Sequence, residues 1–187
     1  ALWPRSLWPR SRGAMTSLAS LERRAADRGL LLRLQVGRPL GLLYGLRVAV
    51  ARQPPAGGQL RLVGELKGWA WPTPGGLQLD TLQVAGRSSG LPDLGVGPLI
   101  AAAAFAWALE QTPCRRAQIL AIRDDDGQHQ RLVRYFRRLG FVPSKELGAA
   151  LWDLPERLVW GGAGLVMQAD CQVVLERAVA LLDQNWS

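Results

Sequence analysis

The chain has 187 residues, enough for one well-buried domain and too few for two, and its 48% hydrophobic and 20% charged residues exclude a disordered chain. Basic residues exceed acidic ones by eight, which suits a polyanionic ligand, whether a CoA phosphate tail or RNA, and decides between neither. Two cysteines, one histidine and no apolar run of 18 residues lead us to expect a cytoplasmic protein with reduced thiols, no metal and no membrane span.

The first residues form a repeat, since residues 2–6 and 7–11 both read Leu-Trp-Pro-Arg-Ser and the chain starts with Ala. We interpret residues 1–14 as a disordered leader or translated upstream sequence, and residues 15–187 as a single domain. The alternative interpretation gives the two Trp-Pro-Arg units a membrane or partner contact. Without the three leader arginines the basic excess falls to five.

A helix and a meander of strands are predicted next. Apolar residues at helical spacing predict a helix near residues 17–28, which Gly29 ends. Extended, partly alternating segments predict strands at residues 30–36, 42–52, 59–71 and 77–84. Proline and glycine predict the turns at residues 54–58 and 72–76. We expect these strands to be antiparallel.

The second half of the chain is richer in helix. A polar loop at residues 86–93 leads into an apolar helix at 99–110, a buried strand at 117–122 and a helix at 128–139. Strand-like segments at 158–160 and 165–167 and a last helix at 171–184 follow. The fold class is therefore α+β, with a core of about residues 30–147 and a C-terminal strand and helix extension of about residues 148–187.

The turn before the apolar helix reads Leu94-Gly95-Val96-Gly97. Glycines let a backbone approach a ligand closely, and the amides and dipole of a helix N-terminus attract phosphate oxygens. The turn therefore predicts pyrophosphate binding, or else it only starts a helix. It is not a dinucleotide fingerprint, because Ile100 stands where a third glycine is needed and the strands before it form a meander.

Residues 92–97 read Pro-Asp-Leu-Gly-Val-Gly, and residues 135–141 read Tyr-Phe-Arg-Arg-Leu-Gly-Phe. In this order and on these elements, over roughly residues 42–147, the chain resembles the GNAT superfamily of acyl-CoA-dependent N-acyltransferases. Members carry (Arg/Gln)-x-x-Gly-x-(Gly/Ala) after a fourth strand and Tyr-x-x-x-Gly-Phe after a later helix. The resemblance implies a mixed, mostly antiparallel sheet flanked by helices.

The resemblance also implies a co-substrate, acetyl-CoA, bound where the fourth and fifth strands splay apart. The acyl carbonyl would meet backbone amides near Leu82 and Val84. His129 would replace an asparagine that touches the cofactor, or it is a surface histidine. An amine acceptor, a small molecule or a peptide, would attack the thioester directly. The amides that would hold the pyrophosphate are those of Leu94, Gly95, Val96, Gly97 and Leu99.

Three residues are candidates for proton transfer. Asp80 and Glu65 are the carboxylates nearest the expected amine, although such residues also pair with arginine on a sheet surface. Tyr135 is the candidate acid for the departing thiolate. The family's tyrosine position is Phe136 here, and a shift of one residue turns a side chain by about 100° around a helix. We therefore expect Tyr135 to point away from the thiolate unless the helix is distorted.

Two prolines weaken the predicted phosphate cradle. Pro92 stands where the family has Arg or Gln, and Pro98 has no N–H, although proline suits the first turn of a helix. These residues and Phe136 favour an alternative function, a GNAT-fold module that binds CoA or a protein without efficient transfer. A basic RNA-associated protein ranks last, because only charge supports it. Trp69 and Trp71 predict cross-strand aromatic packing or, alternatively, the wall of an acceptor pocket.

Overall fold

The computed structural model describes residues 16–38, 41–52, 58–85, 94–122, 128–147 and 164–187, and for residues 122, 128, 129, 131 and 145–147 the backbone alone. Several predictions lie outside these residues: the leader at 1–14, most of the turn at 54–58, the loop at 86–93 and the strand-like segment at 158–160.

Helix α1, Leu18–Ala26, confirms the first predicted element. The side chain of Ser17 caps it by accepting a hydrogen bond from the Ser20 N–H at 3.2 Å. Gly29 follows the helix with a φ of +69°, a conformation that favours glycine, and the chain turns there into the first strand. Leu21 and Ala25 are the buried residues of the helix.

The four predicted strands are present as β1 (Leu30–Gly37), β2 (Tyr44–Arg52), β3 (Arg61–Ala70) and β4 (Leu77–Val84). They pair in order as an antiparallel meander. The turn between β3 and β4 is closed by a hydrogen bond from the Trp71 N–H to the Gly76 carbonyl at 2.9 Å. This half of the fold follows from local sequence, because alternation and turn residues specify each hairpin.

The remaining elements complete one sheet. They are α2 (Val96–Gln111), β5 (Arg116–Ile122), α3 (Gln128–Arg138), β6 (Val142–Leu147), β7 (Gly164–Asp170) and α4 (Cys171–Trp186). The seven strands lie in the order β1-β2-β3-β4-β5-β7-β6, and β4 with β5 is the parallel pair. The chain is therefore an α+β protein with a mostly antiparallel sheet. Among the described helices none is long and apolar enough to cross a membrane.

Strand β6 was not among the predicted elements. It lies at an edge of the sheet, and its pairing with β7 is irregular between Pro143 and Lys145. Proline lacks the N–H of a ladder and is tolerated at edges and bulges, so this strand has no regular alternation to predict it from.

Part of the predicted C-terminal extension is built into the sheet and core. Strand β7 pairs with β5 on one side and β6 on the other, so it is an interior strand. Helix α4 packs against α2. Helix α2 is buried from Val96 to Ala108 except at Pro98, as expected of a helix that is apolar all round and covered on several sides.

Candidate functional site

A gap opens between β4 and β5. Their parallel pairing joins Leu77–Leu79 to Ala117–Ile119 and goes no further, although β4 continues to Val84 and β5 to Ile122. Beyond Leu79, β4 is paired with β3 alone among the strands that the structure describes.

Two backbone amides of β4 point into this gap. The Ala85 N–H donates to the Val63 carbonyl at 2.9 Å, so it points toward β3. Successive peptide groups of a strand point to opposite sides, and the N–H groups of Leu82 and Val84 therefore point away from β3, toward the gap. These two residues are the ones whose amides the resemblance implies as contacts of an acyl carbonyl.

The glycine turn begins helix α2. Gly95 is its N-cap, with φ of +67° and ψ of +24°, in the left-handed region that favours glycine. The N–H groups of Val96 and Gly97, in the first turn, have no intrahelical acceptor. Pro98 has no N–H, and the Leu99 N–H donates to the Gly95 carbonyl at 3.0 Å. Leu99, predicted as a phosphate donor, is thus committed to the first hydrogen bond of the helix.

Gly64 brings this turn onto the sheet. A Cβ atom at Gly64 would lie 2.6 Å from both Val96 Cγ1 and Ile100 Cδ1, closer than side chains pack. Gly64 is paired with Val84, the last residue of β4. The N-terminus of α2 therefore packs directly on the end of the β3–β4 pair, beside the wide end of the gap.

Tyr135 lies against the glycine turn. Its hydroxyl oxygen is 3.0 Å from the position that a Cβ atom on Gly97 would occupy. Phe136 is instead buried in the core, with its ring centroid 5.5 Å from that of Phe141. The rotation of one position around α3 thus directs the tyrosine to the start of α2 and the phenylalanine to the core. The backbone of His129 lies in α3, and its side chain is outside the described residues.

The two candidate bases differ in their surroundings. Glu65 is an ion-pair partner of Arg47 and of Lys67, whose Nζ lies 3.4 Å from Glu65 Oε2. The hydrogen bond from Arg47 lowers the pKa of Glu65, and burial opposes it less strongly. Glu65 therefore stays ionised and is a poor proton acceptor.

Asp80 is exposed and lies one residue beyond Leu79, where the pairing of β4 with β5 ends. It accepts a hydrogen bond from Gln78 Nε2 at 3.2 Å. Partial burial raises the pKa of Asp80, and hydrogen bonds from Trp69 and Gln78 oppose that rise. Of the two predicted bases, Asp80 is thus the one with both access to the gap and the greater affinity for a proton.

A pocket of about 500 Å³ lies beside Asp80 on the face of the sheet opposite α2, which we call the open face. The ring of Trp69 forms one wall, and its Cζ3 atom lies 3.2 Å from the position of a Cβ atom on Gly45. Trp69 thus packs against Gly45 of the neighbouring strand and lines this pocket, and whether the pocket takes an acceptor stays a prediction. The polar lining residues besides Asp80 are Gln35, Arg47, Lys67 and Thr81.

Trp186 is a site residue that the sequence reasoning missed. Its indole Nε1 donates to the Leu94 carbonyl at 2.9 Å, which fixes the start of the glycine turn. Arg24 and Arg28 of α1 lie over the indole, with guanidinium carbons 5.3 and 5.6 Å from its centroid, and Arg28 also donates to the Trp186 carbonyl. No local pattern marks this contact, since Trp186 and Leu94 are 92 residues apart.

No group of histidine, cysteine, aspartate or glutamate side chains in the described ranges is arranged to hold a metal ion. In comparisons with known proteins, no family model matches the chain and no curated protein is significantly similar to it.

Proposed function

We propose that this protein is a GNAT-like N-acyltransferase that moves an acyl group, acetyl in the simplest case, from CoA to an amine. The observation that carries the proposal is the gap between β4 and β5, which opens where the glycine turn of α2 meets the end of β4. The glycine turn also supports it, because residues 94–97 lead into the start of α2 and the Tyr135 hydroxyl lies against Gly97.

The backbone suits a thioester with a phosphate tail. The first-turn N–H groups of Val96 and Gly97, at the positive end of the α2 dipole, are placed to donate to a pyrophosphate. The N–H groups of Leu82 and Val84 point into the gap and are placed to stabilise the oxygen of a thioester carbonyl as charge develops on it. Pro98 leaves this cradle with one donor fewer than a typical helix N-terminus.

Asp80 is the base in this proposal. It takes one proton from the ammonium form of the acceptor, and the freed nitrogen attacks the acyl carbon. As the new carbon–nitrogen bond forms, the carbon–sulfur bond breaks and the nitrogen loses a second proton, which passes to water. The leaving thiolate takes up a proton from water, since the Tyr135 hydroxyl lies against Gly97, at the position proposed for the pyrophosphate. The products are an amide and a free CoA thiol.

A second candidate is a module that binds CoA without efficient transfer. The burial of Phe136 favours it, because the side chain at the family's tyrosine position lies in the core and has no proton to give. The two candidates differ in turnover and share CoA binding.

Calorimetry with CoA and acetyl-CoA, followed by a thiol-release assay over a panel of amines, tests the proposal. We expect binding of both ligands and release of thiol that depends on amine. Binding without thiol release would favour the second candidate, and absence of binding would overturn both.

Two glycine variants make the binding test specific. Gly95 and Gly29 have nearly equal φ values of +67° and +69°, and a Cβ atom at Gly29 would meet nothing within 4 Å. Gly95→Ala and Gly29→Ala should therefore carry similar backbone strain, about 1 kcal/mol, and Gly95→Ala also brings its Cβ to 3.2 Å from Leu182 Cδ1. We expect Gly95→Ala alone to weaken CoA binding, by about tenfold or more. Equal binding by the two variants would remove the glycine turn from the site.

A further inference from the structure

We infer that the acceptor carries a carboxylate beside its amine, as an amino acid does, and that it binds in the pocket of the open face. This inference rests on the proposed function and adds the chemical class of the acceptor. It is carried by the arrangement of charged side chains around the pocket.

The cations of the pocket outnumber the carboxylate that they bind. Arg47 and Lys67 both contact Glu65, which neutralises one of the two positive charges. The Glu65 side chain is 12% exposed, whereas those of Arg47 and Lys67 are 46% and 54% exposed. Glu65 thus contacts the two cations from their buried side. Their exposed guanidinium and ammonium groups can contact a second anion from the solvent side.

A negative group lies at the other end of the same pocket. In the sheet register Arg47 pairs with Lys67, and Lys67 pairs with Thr81, so the three residues form one row across β2, β3 and β4. Asp80 is the neighbour of Thr81, at the irregularity in the β3–β4 pairing. Adjacent strands are about 4.8 Å apart, so the centres of opposite charge are within the reach of one small molecule.

The row therefore presents surplus positive charge on β2 and β3 and a carboxylate on β4. A ligand with an ammonium and a carboxylate complements both ends, and neither a simple alkylamine nor a polyamine does. Trp69 offers an apolar wall for the rest of the ligand. The ammonium end would lie at Asp80, beside the gap, where the proposed transfer needs it.

Matched acceptors test this inference. Phenylalanine, phenylalaninamide and phenethylamine share an amine and an aromatic body, and phenylalanine alone has a carboxylate. Binding is measured without turnover, from the shift of the Trp69 indole N–H resonance, assigned with Trp69→Phe. We expect phenylalanine to bind about tenfold more tightly than the other two.

A charge variant and its control locate the effect. Lys67→Met removes one cation of the pocket and leaves Arg47 on Glu65, whereas Arg33→Met removes an exposed cation of β1 that does not line the pocket. We expect Lys67→Met to abolish most of the preference for the carboxylate and Arg33→Met to keep it, with CoA binding unchanged in both.

The outcomes separate this inference from the proposed function. Wild-type protein that binds CoA but treats the three amines alike would overturn the inference and leave the proposed function standing. Protein that binds phenylalanine selectively but not CoA would overturn the proposed function and leave the pocket's preference for a carboxylate standing. Equal loss of preference in Lys67→Met and Arg33→Met would assign the effect to net charge rather than to the pocket and would also overturn the inference.

Discussion

The two faces of the sheet beside the gap between β4 and β5 carry different chemical groups. On the helix side, Tyr135 packs against Gly97, Leu182 and Trp186 of α4 pack against Gly95, and the donors are backbone amides. On the open face, Glu65 is ion-paired with Arg47 and Lys67, and Asp80 is an exposed carboxylate beside the pocket. Fixed dipoles suit binding in a packed region, whereas groups that exchange protons need water nearby. Under the proposed function, the phosphate tail would therefore bind on the helix side and proton transfer would take place on the open face.

The largest expected effect tests this division on the open face. Asp80→Asn removes the proposed base with little change of shape, and turnover should fall by about 10² to 10⁴-fold, while CoA affinity measured by calorimetry stays the same. The wild-type rate should also fall as the pH drops through the pKa of Asp80, which partial burial raises. This acidic limb should vanish in the variant.

Glu65→Gln is the matched control for Asp80→Asn. Arg47 and Lys67 hold the Glu65 carboxylate ionised, so its loss should change turnover far less. A larger loss of turnover in Glu65→Gln than in Asp80→Asn would reverse the assignment of the base.

Gly64→Val tests the helix side through packing. The added side chain would meet Val96 and Ile100, so we expect the free energy of unfolding to fall by about 2 to 3 kcal/mol. Because the start of α2 must move, CoA affinity should fall as well. Gly37→Val, at a strand glycine with nothing within 4 Å of its Cβ position, is the control for chemical denaturation and for calorimetry. A Gly64→Val protein of wild-type stability would contradict the close approach of α2 to the sheet.

Trp186→Phe tests how the glycine turn is held. The indole is replaced by a smaller phenyl ring without an N–H, so the Leu94 carbonyl loses its donor and stability should fall by about 1 kcal/mol or slightly more. CoA affinity should fall a few-fold with the same change, since the carbonyl is part of the turn. Trp71→Phe, at a half-exposed tryptophan, should change neither quantity. Unchanged CoA affinity in Trp186→Phe would mean that the hydrogen bond from α4 to the Leu94 carbonyl does not position the glycine turn for CoA.

The sequence predicted the elements of the fold better than their contacts. Hairpin strands and helices follow from periodicity and turn residues, which act within a few positions. Strand β6 escaped prediction because Pro143 breaks its alternation at a sheet edge. The Trp186–Leu94 hydrogen bond and the Arg47–Glu65 ion pair join residues on different elements, and nothing local specifies them.

The candidate site was predictable where backbone chemistry decides it. The positive φ of Gly95 and the start of helix α2 both depend on residues within a few positions of the turn, so they can be predicted from local sequence. The roles of Glu65 and Asp80 were not separable in the same way, because both are carboxylates on strands. What separates them is their surroundings in the folded sheet, since Glu65 forms an ion pair with Arg47 of β2 and Asp80 lies where the pairing of β4 with β5 ends.

The smallest expected effect is a pH dependence of stability that follows from this difference. The folded-state pKa of Glu65 is lowered, so its ion pairs stabilise the fold fully above the unfolded-state pKa, near about 4.3, and the stabilisation is lost as pH falls through the folded value. Urea unfolding of wild type and Glu65→Gln should therefore differ by about 1 kcal/mol or less at neutral pH and converge in acid, since protonated Glu65 resembles glutamine. A difference that grows in acid would mean that the Arg47 and Lys67 contacts do not stabilise the ionised carboxylate. Glu65 would then not be the anion that positions the side chains of Arg47 and Lys67 on the open face.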